Sequence, residues 1–497
     1  MSSGDLLALA PLWIAAGSAI VLLLLISVRR HFGLCAGFSI LAAAAGLASV
    51  FVIGRLAPRT VTVLFVVDGY ALFFIGVFFA ATLIIFLIAS SYLPPSAERR
   101  EEFFLAAFAA LLGSSVLAAS AHFVSFVLGL EILSVALYVL IAFPLERRES
   151  IEAGTKYLVL ASASAAFLLF GGALIYGETG ALDFATWAAR TQELPLSKPL
   201  FILGVSLIIV GLGFKLAVVP FHIWTPDVYQ GAPAPSAALV ATISKGGMLA
   251  FLLRFFWTIG LRRFPSLVLV FSLIAAASMI AGNLLALRQN RVKRILAYSS
   301  ISHLGYILVA FLAGGAAGLE AAAFYLVAYI ITMTAAFGSV ALLSSADADA
   351  DLLEDFRGVF WTRPGTAAVM TLAMLSLAGI PLTAGFLGKF YVASAGVGAS
   401  LWALVVILVA TSVIGLYYYL RVLTAMYARP HEGTAEAARP QGPRRGARTA
   451  GGIALVLLVL LLFWLGVFPT GLIDAIRTTA AALAGAIGPP GTGGGLP

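Results

Sequence analysis

Charge is scarce in this chain: Asp, Glu, Lys and Arg make up 10% of its 497 residues, where soluble domains carry about 25%. Cysteine is scarcer still. Cys35 stands alone, which excludes an intramolecular disulfide, a thiolate-held iron–sulfur cluster and a structural cysteine zinc site. The five histidines, His31, His122, His222, His303 and His431, lie far apart with no pair at i, i+4 spacing, so neither a bis-histidine haem nor a zinc centre is expected. No phosphate-binding glycine loop and no catalytic triad is present. Hydrophobic residues, by contrast, reach 62%, and the mean hydropathy is +1.06. That composition belongs to lipid, and the chain reads as a polytopic membrane protein without a redox centre of its own.

A helix needs roughly 20 predominantly apolar residues to span a bilayer. Fourteen stretches meet the rule: 6–28, 32–54, 64–91, 103–119, 121–143, 155–177, 199–220, 234–257, 266–287, 293–313, 320–343, 366–396, 399–427 and 451–470. The first is too long for a secretory signal and lacks the basic leader and the small-residue cleavage site. An even number of spans puts both termini on one side. Loops on one side collect nineteen Lys and Arg, Lys293 and Arg294 among them, and the other side seven. Because cytoplasmic loops carry the excess, both termini are expected on the periplasmic side of a bacterial plasma membrane. The net charge of +8 is therefore a topology signal rather than a nucleic-acid surface.

Ionisable residues at mid-membrane cost about 2.5–3.5 kcal/mol each on insertion scales and are functional candidates by default. Four stand out: Glu131 near the centre of the fifth span, Lys215 in the seventh, Lys245 in the eighth and Lys389 in the twelfth. Unpaired in lipid they would together cost about 10–14 kcal/mol, so they must face a polar, hydrated or mutually paired interior. Arg254, nearer a helix end, is expected to snorkel to the headgroups.

The seventh span meets Pro220 five residues after Lys215, then continues through His222, Trp224 and Pro226; the twelfth carries Gly379-Ile380-Pro381, Gly385 and Gly388 ahead of Lys389. Proline removes a donor and frees a carbonyl, and such interruptions survive in membranes only where protein or water satisfies the exposed groups. Paired interrupted helices point to a transport site. Their separation of five spans predicts two five-helix repeats, helices 4–8 and 9–13, the second inverted because five is odd. The chain divides accordingly into an N-terminal three-helix segment (1–102), the two repeats (103–257 and 258–427), a cytoplasmic loop (428–450) containing Pro440 and Pro443, and a C-terminal helix with a disordered Gly- and Pro-rich tail (451–497). The expected fold is all-α, with helices 7 and 12 interrupted.

Glu131 occupies the second helix of the first repeat, and the second helix of the other carries His303 among Ser299, Ser300, Ser302 and Tyr306. Histidine titrates near neutral pH and passes a proton through either ring nitrogen. Burial loosens a lysine's proton and a nearby carboxylate tightens it. A Glu131–Lys215 pair therefore has a paired state, with Lys215 charged, and a separated state from which Lys215 releases its proton. Lys245 can accept that proton and pass it, through hydroxyls and water near His303, toward Lys389.

The strings GFKLAVVPFHIWTPDVYQGAPAPSAALVATISK around Lys215 and Lys245, RILAYSSISHLGYILVA around His303, GIPLTAGFLGKFYV around Lys389, and GLYYYLRVL from Gly415 to Leu423 resemble the antiporter-like, proton-translocating subunits of respiratory complex I. The resemblance spans nearly the whole chain. The lysine at 389 and the short C-terminal region match the N branch of that family rather than the M branch, which has a glutamate there, or the L branch, which has a long lateral helix. It implies a membrane-arm subunit in which Glu131, Lys215, Lys245, His303 and Lys389 carry protons. It further implies that NADH, FMN, iron–sulfur clusters and quinone belong to other subunits, and that a neighbouring antiporter-like subunit is a partner. Two other classes compete. A multisubunit sodium/proton antiporter shares the fold and the lysines, and the DVYQGAP and YYYLR wording speaks against it; a scaffold with vestigial charges would keep pumping after Lys215→Ala.

Overall fold

In the computed structural model the described residues are 2–93, 99–143, 145–193, 198–260, 264–345, 348–429 and 445–486. A backbone in hydrocarbon must close its hydrogen bonds within the segment, and helices follow one another in chain order: α1 (Ser3–Ala8), α2 (Ala10–Val28), α3 (Phe32–Ile53), α4 (Gly69–Tyr92), α5 (Glu102–Ala119), α6 (Phe123–Ala142), α7 (Arg148–Thr179), α8 (Phe184–Glu193), α9 (Pro199–Leu216), α10 (Trp224–Gly231), α11 (Ala234–Leu239), α12 (Lys245–Ile259), α13 (Pro265–Leu287), α14 (Val292–Ala313), α15 (Gly315–Leu343), α16 (Val359–Thr362), α17 (Pro364–Ala378), α18 (Ala384–Gly398), α19 (Trp402–Tyr427), α20 (Arg445–Val467) and α21 (Thr470–Ala486). A π-helical turn, Val240–Ser244, joins α11 to α12.

Among the described residues 13 helices are long and apolar enough to cross a membrane. The twelfth expected span, 366–396, is present as two halves, α17 and α18, of 15 residues each. Between α3 and α4 a short hairpin pairs β1 (Arg59–Val61) antiparallel with β2 (Phe65–Val67). Chain direction puts this hairpin at the same end of the bundle as α1, α8 and α21, while the α6–α7, α13–α14 and α15–α16 connections lie at the opposite end. Residues 430–444 of the expected loop and the tail from 487 fall outside the described residues. The helix α21, which the hydropathy pattern did not single out, packs on α4 and α15.

In each repeat the first two helices lie side by side, α5 on α6 and α13 on α14, and the third packs against the broken fourth, α7 on α9 and α10, α15 on α17 and α18. Two of the helices expected to carry polar residues are the most enclosed, while α6 and α9, which carry Glu131 and Lys215, are about half buried. The α11–α12 span is fully buried and α14 nearly so. By contrast, α2, α3, α7 and α20 turn apolar side chains such as Leu24, Phe51, Phe170 and Leu460 outward.

Candidate functional site

Helix α9 stops at Leu216, four residues before Pro220. The proline ring would clash with the carbonyl of residue i−4, which is Leu216, and the residue before a proline is driven out of the helical region. Where the helix stops, Ala217 takes a left-handed conformation with φ 59°. Of the carbonyls freed by the break, that of Gly213 accepts from the Val218 amide at 3.1 Å and that of Phe214 from the Trp224 indole at 3.0 Å. Lys215 sits in this last turn, where the helix dipole favours a cation. It is buried, and its Nζ donates to Ser134 Oγ at 2.7 Å and Tyr157 Oη at 3.0 Å.

Glu131 lies one turn before Ser134 on α6. Among the described residues no ion pair joins it to Lys215, whose partners are Ser134 and Tyr157, and its buried Oε1 has no hydrogen-bond partner. The structure therefore holds the separated arrangement of the two. Glu131 also shares its helix face with Val124, Leu128, Val135 and Val139, all exposed.

The second break is built differently. Helix α17 ends at Gly379, whose φ of 81° suits glycine, and the amides of Gly379 and Ile380 both return to the Leu375 carbonyl at 3.0 Å. Thr383 caps α18, accepting from the Phe386 amide at 3.3 Å. Lys389 reaches back from α18 to the end of α17, donating to the carbonyls of Leu377 at 2.9 Å and Ala378 at 3.0 Å. One lysine thus lies on the half-helix before its break, and the other on the half-helix after it.

Between them runs one face of α14. Lys245, fully buried at the end of the π turn, donates to Ser300 Oγ at 2.5 Å. The same oxygen meets Tyr329 Oη at 2.6 Å and Tyr229 Oη at 3.3 Å. His303, one turn on, is held at both ring nitrogens, Nδ1 by Tyr325 Oη at 2.7 Å and Nε2 by Tyr419 Oη at 3.1 Å; Tyr419 also bonds Ser299. Tyr306, one turn further, presents its ring to Lys389 Nζ at 5.3 Å. Lys245, Ser300 and His303 are thereby brought onto one hydroxyl-lined row that points toward Lys389. No side-chain hydrogen bond among the described residues links Lys215 to Lys245; the rings of Tyr157, Trp224 and Tyr229 stand on that side, with Lys245 Nζ 5.5 Å from the Tyr229 ring.

Sequence reasoning missed the hydroxyls that hold these groups: Ser134, Tyr157, Tyr229, Tyr325, Tyr329 and Tyr419. A usable signal existed, since tyrosine favours the membrane interfaces and four of these five tyrosines fall inside the expected spans. Arg254 corrects an expectation. It does not snorkel: Nη1 and Nη2 donate to the two Asp68 oxygens at 3.0 and 2.6 Å, both residues are buried, and the guanidinium lies over the Tyr70 ring at 4.6 Å. The partner, Asp68, ends the hairpin and caps α4 by accepting from the Ala71 amide at 2.8 Å. Among the described residues there is no cluster of three or more His, Cys, Asp or Glu that could hold a metal.

A family profile described as "NADH:quinone oxidoreductase/Mrp antiporter, TM" matches residues 120–415. The chain is 43% identical over 479 residues to NADH-quinone oxidoreductase subunit N of Methylococcus capsulatus, covering 96% of this chain and 95% of that one. Among solved structures, a chain of respiratory complex I from Thermus thermophilus with bound aureothin is 34% identical, with a TM-score of 0.79 over 94% of this chain and 99% of that one. A chain of the Mrp complex from Dietzia sp. is 21% identical with a TM-score of 0.82, covering 97% and 98%; that likeness concerns the fold alone.

Proposed function

Because the chain belongs to the NADH:quinone oxidoreductase/Mrp antiporter membrane family, and within it is a membrane-arm subunit of proton-pumping NADH:quinone oxidoreductase, we propose that protons cross it through Glu131, Lys215, Lys245, His303 and Lys389. Electron transfer takes place in other subunits, which hold NADH, FMN, the iron–sulfur clusters and quinone. The observation that carries the reading is the row along α14: buried Lys245 of α12 meets Ser300, which bonds two tyrosines, and His303, held at both nitrogens, follows one turn on along the same face of α14.

Lys215, Lys245 and His303 each bond a neutral hydroxyl able to take or give a proton in turn. Lys215 rests on Ser134, three residues, or about 4.5 Å, from Glu131 along α6. A change of charge near Glu131 would draw the ammonium across that distance or release it. Released protons pass to Lys245, across Ser300 and the imidazole, and on to Lys389. Glu131 supports a second element of the reading. An unpartnered carboxyl on an otherwise apolar outward face would cost about 2.5–3.5 kcal/mol against lipid, so this face of α6 is covered by a neighbouring membrane-arm subunit that offers Glu131 a polar contact. Both termini and the hairpin end face the periplasm.

The test is Lys215→Ala in membrane vesicles containing the whole complex, with NADH oxidation and internal acidification read together. Acidification per NADH should fall while assembly holds. Normal acidification at normal assembly would sink the relay.

A further inference from the structure

Helix α10 has 8 residues, with the break at Ala217–Ile223 on one side and Ala232-Pro233 on the other. So short a helix has no stability of its own, yet it carries Tyr229, whose ring lies under Lys245 and whose hydroxyl meets Ser300. Two neighbours hold it: on α7, Ser150 donates to the Gly231 carbonyl at 2.8 Å and Lys156 to Asp227 at 3.0 Å, and the start of α14 supplies the rest. Arg294 Nη1 donates to Asp227 at 2.8 Å and Gln230 at 3.0 Å, both on α10. Lys293 Nζ donates to the Ala232 carbonyl at 2.7 Å, just past the end of α10, and to Asp349 at 2.6 Å. Asp349 in turn accepts from Tyr92 Oη at 2.6 Å and Arg147 at 3.3 Å. Four elements distant in sequence meet at this one carboxylate.

Two features show that these cations are not topology charges. Lys293 is only 2% exposed, so it meets no headgroup. Together with Arg291 and Arg294 it also lies at the N-terminus of α14, where the helix dipole disfavours positive charge. A cation placed against both solvation and dipole is retained for what it touches. Lys293 and Ser300 are seven residues apart, two turns along one face of α14, so the contact that grips the end of α10 lies directly in line with the one that receives Lys245.

We propose that Lys293 and Arg294 are positioning residues, locking the half-helix α10 of the first repeat to α14 of the second so that Tyr229, Ser300 and Lys245 stay in contact. The consequence for transport rests on the relay reading; the lock itself does not. The experiment compares Lys293→Gln, Lys293→Arg and Lys245→Ala in the intact complex, reading amide exchange of residues 224–232 and protons pumped per NADH. Lys293→Gln should speed exchange in that segment and cut pumping about tenfold, the order expected when a relay contact shifts by under about 1 Å, while Lys293→Arg restores both. Unchanged exchange in Lys293→Gln overturns the lock. Faster exchange with normal pumping in Lys245→Ala upholds the lock and fells the relay instead. Should Lys293→Gln fail to assemble, Arg294→Gln on the more exposed limb gives the same exchange readout, and unchanged exchange there overturns the proposal.

Discussion

Arg254→Met gives the sharpest stability test. The guanidinium makes two charge-assisted bonds to Asp68, at 3.0 and 2.6 Å, with Asp68 fully buried and Arg254 6% exposed. Removing one member of a buried pair leaves the other charge uncompensated and costs about 3–5 kcal/mol. Asp68→Asn alone is milder at the cap, because Asn accepts the Ala71 amide as well as Asp does, but it leaves the guanidinium without a counter-charge. The double variant Asp68→Asn/Arg254→Met removes both charges and should return to within about 1 kcal/mol of the parent, since apolar replacement of a whole buried pair is often neutral. The cycle then yields a coupling of about 2–3 kcal/mol or more. Arg254→Lys separates this from snorkelling: a lysine reaches headgroups as easily as an arginine, but it cannot reproduce the two-pronged bond. The assay is resistance of the detergent-solubilised complex to denaturant, followed by retention of this subunit. If Arg254→Met and Arg254→Lys both matched the parent, the buried pair would carry none of the stability assigned to it.

Two further outcomes follow from the geometry. Tyr325→Phe and Tyr419→Phe each strip one hydroxyl from His303; each should slow proton translocation by about tenfold or more, the low side of what a positioned proton-transfer group contributes, with NADH-driven vesicle acidification as the measure, and parental rates in both variants would remove the imidazole from the path. At Asp349, burial pushes the carboxyl up, but the Lys293 charge and hydrogen bond, the Tyr92 hydroxyl and Arg147 outweigh it and hold the group below its ordinary value. A depressed carboxyl contributes stability that is fully present above the unfolded value of about 4 and is lost as pH falls through the folded one. Exchange of residues 224–232, corrected for its intrinsic pH dependence, should therefore stay slow down to about pH 4 and quicken only below it; Asp349→Asn should abolish that acid step.

Spans were legible because a bilayer imposes length and hydropathy on each helix separately, and the two breaks were legible because proline and glycine act on their own backbone. Pairings were not. Asp68 and Arg254 stand 186 positions apart, and nothing in the local pattern of either says that the hairpin will bring them together; the snorkelling rule applied to Arg254 considers one helix at a time. Lys293 entered the sequence count as a loop charge for the same reason. The tyrosines around His303 come from α15 and α19, so their convergence is a property of packing rather than of any motif.

Chemistry then sorts the buried cations by their partners. Arg254 cannot lose its proton within a protein, and it faces a carboxylate; it holds structure. Lys293 can in principle, but doing so would break its ion pair with Asp349. Lys215, Lys245 and Lys389 are different: their hydrogen-bond partners are a serine and a tyrosine, a serine, and two backbone carbonyls. Deprotonating any of these three breaks no ion pair. A neutral acceptor also stabilises an ammonium far less than a carboxylate does, so the difference in partner, more than depth in the membrane, is what supports the proposed proton-carrying role of these lysines.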